Sequence, residues 1–175
     1  GFSAGSGSSR TYDGVNMCTA GDVVLVTINH RLNIFGSAYL AQLGGSDFAA
    51  SGCTGMLDII ASLEWVRDNI EAFGGDPNTV TIFGESGGGR KVSTLLAMPG
   101  ATGLFHRAII QSGAILRVRN PRDATREAEL VLAKVGLRSN QGHELQMVPT
   151  DTLFEAALEA AGGFEPEERV VGMTG

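Results

Sequence analysis

The sequence predicts an α/β fold, a mostly parallel central sheet with flanking helices, and three observations carry that reading. Asp22 to Asn29 (Asp-Val-Val-Leu-Val-Thr-Ile-Asn) is a continuous apolar run rather than an alternating one, as suits a strand buried on both faces. Thr81-Ile82-Phe83-Gly84-Glu85-Ser86-Gly87-Gly88-Gly89 runs an apolar strand into a Gly-x-Ser-x-Gly turn and out into a helix. Apolar runs of strand length alternate with helical patterns along the first 113 residues, which is the signature of parallel strands joined by helices.

Residues 1–9 are a Gly/Ser loop. After the strand at 22–29, Tyr39 to Ser51 is small and glycine-rich, as in a long surface loop. A helix is expected from near Leu57, because Ile59, Leu63, Val66, Ile70 and Phe73 form one apolar stripe at four-three-four-three spacing. Gly74-Gly75 end it, and Asp76-Pro77-Asn78 turn the chain into a strand at Val80 to Phe83. Val92, Leu95 and Leu96 carry the next helix to Pro99-Gly100, and Ala108 to Gln111 is a third strand closed by Ser112-Gly113. Beyond Asn120 the character changes. Arg122 to Val135 is an amphipathic helix with Ala124, Ala128, Val131 and Val135 on one face, and Thr150 or Asp151 caps another through Ala161. The expected organisation is one domain, with a sheet core over 1–120 and covering helices over 121–175.

A chain of 175 residues with net charge −6 and no cluster of Lys and Arg argues against nucleic acid or an anionic membrane as partner. No apolar run reaches transmembrane length. Cys18 and Cys53 form no Cys-x-x-Cys and no metal-ligand spacing, so no metal site is expected; free, buried thiols are favoured over one disulfide. Gly1-Phe2-Ser3-Ala4-Gly5 reads as the inside of a Gly-rich loop and Gly172-Met173-Thr174-Gly175 as no natural end, so a fragment of a longer protein is expected.

The chemistry concentrates at Ser86. A serine hydroxyl is a poor nucleophile unless it is exposed, rigid and served by a base. The tight turn provides the first two, with glycines removing side chains that would clash with neighbouring backbone. The Gly87 amide, at the start of the new helix, points where an oxyanion would develop, and the helix dipole adds to it.

Taken together, Val-Thr-Ile-Asn-His-Arg-Leu-Asn (26–33), Gly-Met-Leu-Asp (55–58), Leu-Glu-Trp-Val-Arg-Asp-Asn-Ile (63–70), Phe-Gly-Gly-Asp-Pro-Asn (73–78), Val-Thr-Ile-Phe-Gly-Glu-Ser (80–86) and Leu-Phe-His-Arg-Ala-Ile-Ile-Gln-Ser-Gly (104–113) resemble the type B carboxylesterases. That is the branch of the α/β-hydrolases that includes the cholinesterases. The resemblance implies a partial α/β-hydrolase fold and a serine carboxylic-ester hydrolase with no metal or organic cofactor, acting on a small-molecule ester. It places the nucleophile at Ser86, oxyanion donors at Gly1 and Gly87, supporting residues at Glu85 and Ser112, and a buried structural ion pair at Arg31 and Asp58. The alternatives are a catalytically inactive cholinesterase-like interaction protein and a related carbamate or amide hydrolase. Retention of Ser86, Glu85 and the glycines weighs against the first; the elbow does not separate the second. Ala114-Ile115-Leu116 is expected to form an apolar acyl wall. Compartment and oligomeric state stay open.

Several residues depart from the family pattern. His30 replaces a usual tyrosine and is read as structural rather than catalytic; Gly87 replaces a usual alanine; Arg90 and Lys91 replace small residues and either reach for the surface or line the site entrance, the former being favoured. In this fold the chain order is nucleophile, acid, histidine. Only His106 and His143 follow Ser86, and the carboxylates near His143 (Asp123, Glu127 and Glu129) sit on what reads as a solvated helix face. The triad acid and histidine are therefore expected outside this chain, which alone would be inactive. The resemblance also places a strand before Gly1, between the strands at 23–28 and 80–83. Without it the isolated segment is expected to be unstable or aggregation-prone, with a first strand poorly packed or re-paired directly with the second and no cooperative thermal unfolding.

Overall fold

The computed structural model describes residues 1–164, so the expectation attached to Gly172-Met173-Thr174-Gly175 lies outside the described residues. In chain order the elements are α1 (Val15–Gly21), α2 (Asn33–Ser37), α3 (Thr54–Asn69), β1 (Thr81–Glu85), α4 (Gly87–Leu95), β2 (Arg107–Gln111), α5 (Pro121–Lys134) and α6 (Thr150–Gly163), with 3-10 turns between several of them. The chain divides into two compact units, Gly1–Arg31 with Met56–Leu116 and Leu32–Gly55 with Arg117–Gly175.

The first unit holds the sheet. β1 and β2 pair in parallel, in register from Thr81 opposite Arg107 to Glu85 opposite Gln111. A parallel pair needs a crossover connection, and α4 is part of it. Ile82 on one sheet face packs with Ile59, Ile60 and Leu63 of α3, Leu95 of α4, and Ala101 and Leu104. The stripe read from the sequence thus faces the sheet, except at its end: Phe73 is exposed and meets Trp65 at 5.7 Å between ring centroids. The other sheet face carries Phe83 and Ile109, register partners that are 48% and 51% exposed.

The apolar run at 22–29 forms no regular element and joins no ladder among the described residues, and Val23, Val24 and Val26 are exposed. It therefore does not become the first strand that its composition predicts. A strand needs a neighbour's N–H and C=O groups as much as its own residue types. What holds this segment is the opening loop: Asn29 Oδ1 accepts from the Gly7 amide at 2.9 Å, and a Cβ at Gly7 would lie 2.5 Å from the Ile28 carbonyl oxygen. The Gly/Ser stretch is accordingly packed on its neighbour rather than a free tether.

At the end of this run, Arg31 grips Asp58 through Nε at 2.9 Å, a second guanidinium nitrogen at 2.7 Å and its own amide at 2.9 Å. The pair is not buried, since the Arg31 side chain is 55% exposed. A buried pair would lose about 3–5 kcal/mol with one partner removed; an accessible one is worth on the order of 1 kcal/mol or less. The Arg31 hydrogen bonds hold the Asp58 carboxyl below its ordinary value.

The second unit is helical. Leu132 of α5 is fully buried among Leu40, Ala128 and Leu145, while Val131 meets Ala156, Ala157 and Ala160 of α6. The stretch at 39–51 is consequently not a plain surface loop, because Leu40 anchors it to this core. Asn120 caps α5 by accepting from the Asp123 amide at 2.8 Å. Asp123 itself is 1% exposed and takes hydrogen bonds from Asn120 and Arg126, which corrects its expected solvated position. The residue before α6 is Pro149, and no side chain caps that helix.

Leu132→Ala should lower the urea-unfolding stability of the full-length gene product by ~2–5 kcal/mol. Asp58→Asn should lower it by about 1 kcal/mol or less if the pair is accessible; a loss several times larger would show that the pair is buried in the full-length protein.

Candidate active site

The site is built where β1 and β2 end together. Glu85 and Gln111 are register partners, and the Ser86 amide donates to the Gln111 carbonyl at 2.9 Å, carrying the ladder one residue into the turn. Ser86 then turns sharply, with φ +51° and ψ −116°. A left-handed backbone at a non-glycine residue is strained by about 1–3 kcal/mol and persists only where its surroundings impose it. Ser112 repeats that angle, φ +51°, at the same level just past the end of β2.

Glycines impose the turn. A Cβ at Gly84 would lie 2.4 Å from the Gly88 carbonyl carbon, and one at Gly89 would lie 2.8 Å from the Gln111 oxygen. A Cβ at Gly113 would lie 2.4 Å from the Ser86 carbonyl oxygen and 2.6 Å from the Arg90 nitrogen. The exit of β2 thus buttresses the elbow from the side. Nothing lies within 4 Å of a Cβ at Gly88, so the central glycine of the three is not demanded by space.

Ser86 occupies the cap position of α4, yet its side chain does not cap the helix. Cap serines ordinarily accept from the amides of the first turn. Here Ser86 is exposed and its hydroxyl takes no cap hydrogen bond, so the first-turn amides are not satisfied by it. Gly1 and Phe2 close over this end of the helix: a Cβ at Gly87 would lie 3.1 Å from Phe2 Cδ2 and 3.2 Å from Gly1 Cα. The structure therefore brings together Ser86, Gly87, Gly1, Glu85 and Ser112. Arg31 and Asp58 pair with each other, as described above.

Lys91 is the residue the sequence reading misplaced. It does not reach the surface. It is 6% exposed, donates from Nζ to the Gly1 carbonyl oxygen at 2.7 Å, and lies 3.5 Å from the centroid of the Phe2 ring. Position 91 falls four residues after Gly87 and four before Leu95, both buried on α4. Burial pushes the Lys91 ammonium down to about 8. Burial first, and the Lys91 charge second, also hold the His30 imidazole below its ordinary value. His30 Nε2 is buried with no hydrogen-bond partner among the described residues.

The other histidines stand apart from this chemistry. His106 is exposed and enters the fold through its amide, which donates to Val80 at 2.8 Å. His143 is exposed in the 3-10 stretch Ser139–Met147 of the other unit. Ala114 and Leu116 are exposed and Ile115 is half-buried. Cys18 and Cys53 are free thiols, both half-buried. No group of three or more His, Cys, Asp or Glu able to hold a metal occurs among the described residues, and no described helix is long and apolar enough to cross a membrane.

The profile of the carboxylesterase family matches residues 1–165. The para-nitrobenzyl esterase of Bacillus subtilis is 43% identical over 156 residues, covering 89% of this chain and 31% of that protein. Carboxylesterase 1E of Rattus norvegicus is 40% identical over 158 residues, covering 87% and 27%. Among solved structures, carboxylesterase EST55 of Geobacillus stearothermophilus superposes with a TM-score of 0.88 at 45% identity, covering 98% of this chain and 37% of that one. The chain thus spans about a third of the length of the relatives it matches. Its fold is a partial α/β-hydrolase fold, a short parallel sheet with flanking helices.

The Lys91 amine sets a pH signature. Its value is about 8 folded against 10.5 ordinarily. Below pH 8 both folded and unfolded chains hold the proton, and the cost of burying the charge is fully present. Between about 8 and 10.5 the unfolded chain binds the proton more, so stability rises with pH. The difference in urea midpoint between wild type and Lys91→Met should therefore shift in favour of wild type across that window. A flat difference would contradict the buried ammonium.

Proposed function

The chain belongs to the carboxylesterase family, and from that premise we propose that it is the nucleophile-bearing part of a serine carboxylic-ester hydrolase. The observation that carries the reading is the exposed Ser86, held at φ +51° between strand and helix, with its hydroxyl not spent on capping. Ser86 Oγ attacks the ester carbonyl carbon. The developing oxyanion is held by the amides of Gly87 and Gly1, whose backbones approach each other beside the serine. The serine proton passes to a histidine, which returns it to the leaving alcohol, and water then clears the acyl-enzyme by the reverse sequence.

We assign neither that histidine nor its carboxylate to this chain. Asp123 is committed to the α5 cap. His106 and His143 are surface groups outside the elbow. Glu85 and Ser112, beside the nucleophile on β1 and just after β2, support the turn and the field around the reacting atoms. Residues 1–175 are read as part of one catalytic domain, since a single family profile runs through both compact units. The substrate is a small-molecule ester; the relatives' names include a para-nitrobenzyl esterase.

In the full-length gene product, Ser86→Ala should lower kcat for p-nitrophenyl butyrate by on the order of 10⁴-fold or more, with the fold intact by circular dichroism. Residues 1–175 alone should not turn over the ester. Activity surviving Ser86→Ala would move the nucleophile elsewhere. A folded wild type that neither hydrolyses esters nor is labelled by serine-reactive phosphonates would replace the enzymatic reading with an interaction role.

A further inference from the structure

A buried cation at this position needs an explanation. Lys91 lies in the second turn of α4 and is almost fully removed from water. Burial opposes its charge. What offsets that cost is directed at two adjacent residues: the Gly1 carbonyl oxygen at 2.7 Å and the face of the Phe2 ring at 3.5 Å.

Those two residues form the segment that closes over Gly87. Glycine is the residue least able to hold its own backbone, having neither a side chain to pack nor a narrow φ/ψ preference. Gly1 offers its neighbours only main-chain atoms to grip, and Lys91 grips its carbonyl oxygen. The Phe2 ring has the Lys91 ammonium over its face, and its Cδ2 edge lies where a Gly87 side chain would begin. A Cβ at Gly87 would meet that ring's Cδ2 at 3.1 Å. Position 91 and position 87 are thus complementary: one draws the Gly1–Phe2 segment onto the helix, the other leaves room for it.

We propose that Lys91 is a positioning residue for the oxyanion site, clamping the Gly1–Phe2 backbone against the start of α4 so that the Gly1 amide is fixed relative to Gly87 and Ser86. The proposal rests on the ester-hydrolase reading above. It assigns Lys91 no proton transfer and no contact with substrate. Because the clamp fixes a donor that matters only once the carbonyl becomes tetrahedral, its loss falls on kcat rather than on ground-state binding.

The test uses the full-length gene product and p-nitrophenyl butyrate, with Ser86→Ala alongside. Lys91→Met should lower kcat about 10- to 100-fold, up to the range of a lost oxyanion donor, with KM within about threefold of wild type. Lys91→Arg, which keeps a cation for the carbonyl and the ring, should recover most of that loss. Adding Gly87→Ala should cost wild type more than it costs Lys91→Met, because the ring is no longer drawn toward position 87. Should Lys91→Met fail to fold, Lys91→Gln is read by the same thresholds. An unchanged kcat, or a rise in KM that accounts for the whole loss, overturns the clamp. If Ser86→Ala is dead while Lys91→Met is fully active, only this inference fails. If Ser86→Ala is active or wild type is inert, the hydrolase reading fails and the clamp with it.

Discussion

The elbow depends on main chain touching main chain. β1 ends in a turn whose closure puts the Gly84 Cα next to the Gly88 carbonyl, Gly89 against Gln111, and Gly113 against Ser86 and Arg90. At each of these places a single methyl group would fall within 3 Å of backbone, which cannot swing away as a side chain can. The strained Ser86 conformation is therefore not a local preference of serine. It is what remains when the ladder from Gln111 fixes the residue on one side and the start of α4 fixes it on the other. The same constraint exposes the hydroxyl and aligns the first helical amides beside it.

A helix start is a place for anions, and here it is backed by a buried ammonium four residues on. The fold tolerates Lys91 because its charge is matched to a carbonyl dipole and an aromatic face rather than to a carboxylate. Lys91 has no carboxylate among its hydrogen-bond partners. Burial first, and the Lys91 charge second, disfavour the His30 imidazole as a cation. The surface pair of Arg31 and Asp58 contributes in a different way, tying the end of the run at 22–29 to α3 by three hydrogen bonds.

The legible parts of the sequence were those whose determinants lie close together in the chain. The spacing of Ile59, Leu63, Val66 and Ile70 gave α3 and its buried face. The Ala128 and Val131 stripe gave α5. Periodicity failed where partners are remote. Phe73 continues the stripe in sequence, yet the chain has already passed into a 3-10 turn there and the ring is exposed. The run at 22–29 has the composition of a central strand but no ladder among the described residues, since pairing is a property of two segments and composition of one.

The sequence by itself determined the family, the turn at Ser86 and the serine proposed as nucleophile, because a strand, a glycine-bounded serine and a helix start are contiguous and their steric requirements are local. Tertiary structure alone decided that Arg31 is accessible, that Asp123 is buried in a helix cap, and that Lys91 turns inward to hold Gly1, ninety residues away in the chain. Each of those outcomes turns on which groups a charged side chain meets and how much water it keeps. Burial and partnership of charge are set by non-local neighbours, and no spacing along the chain encodes them.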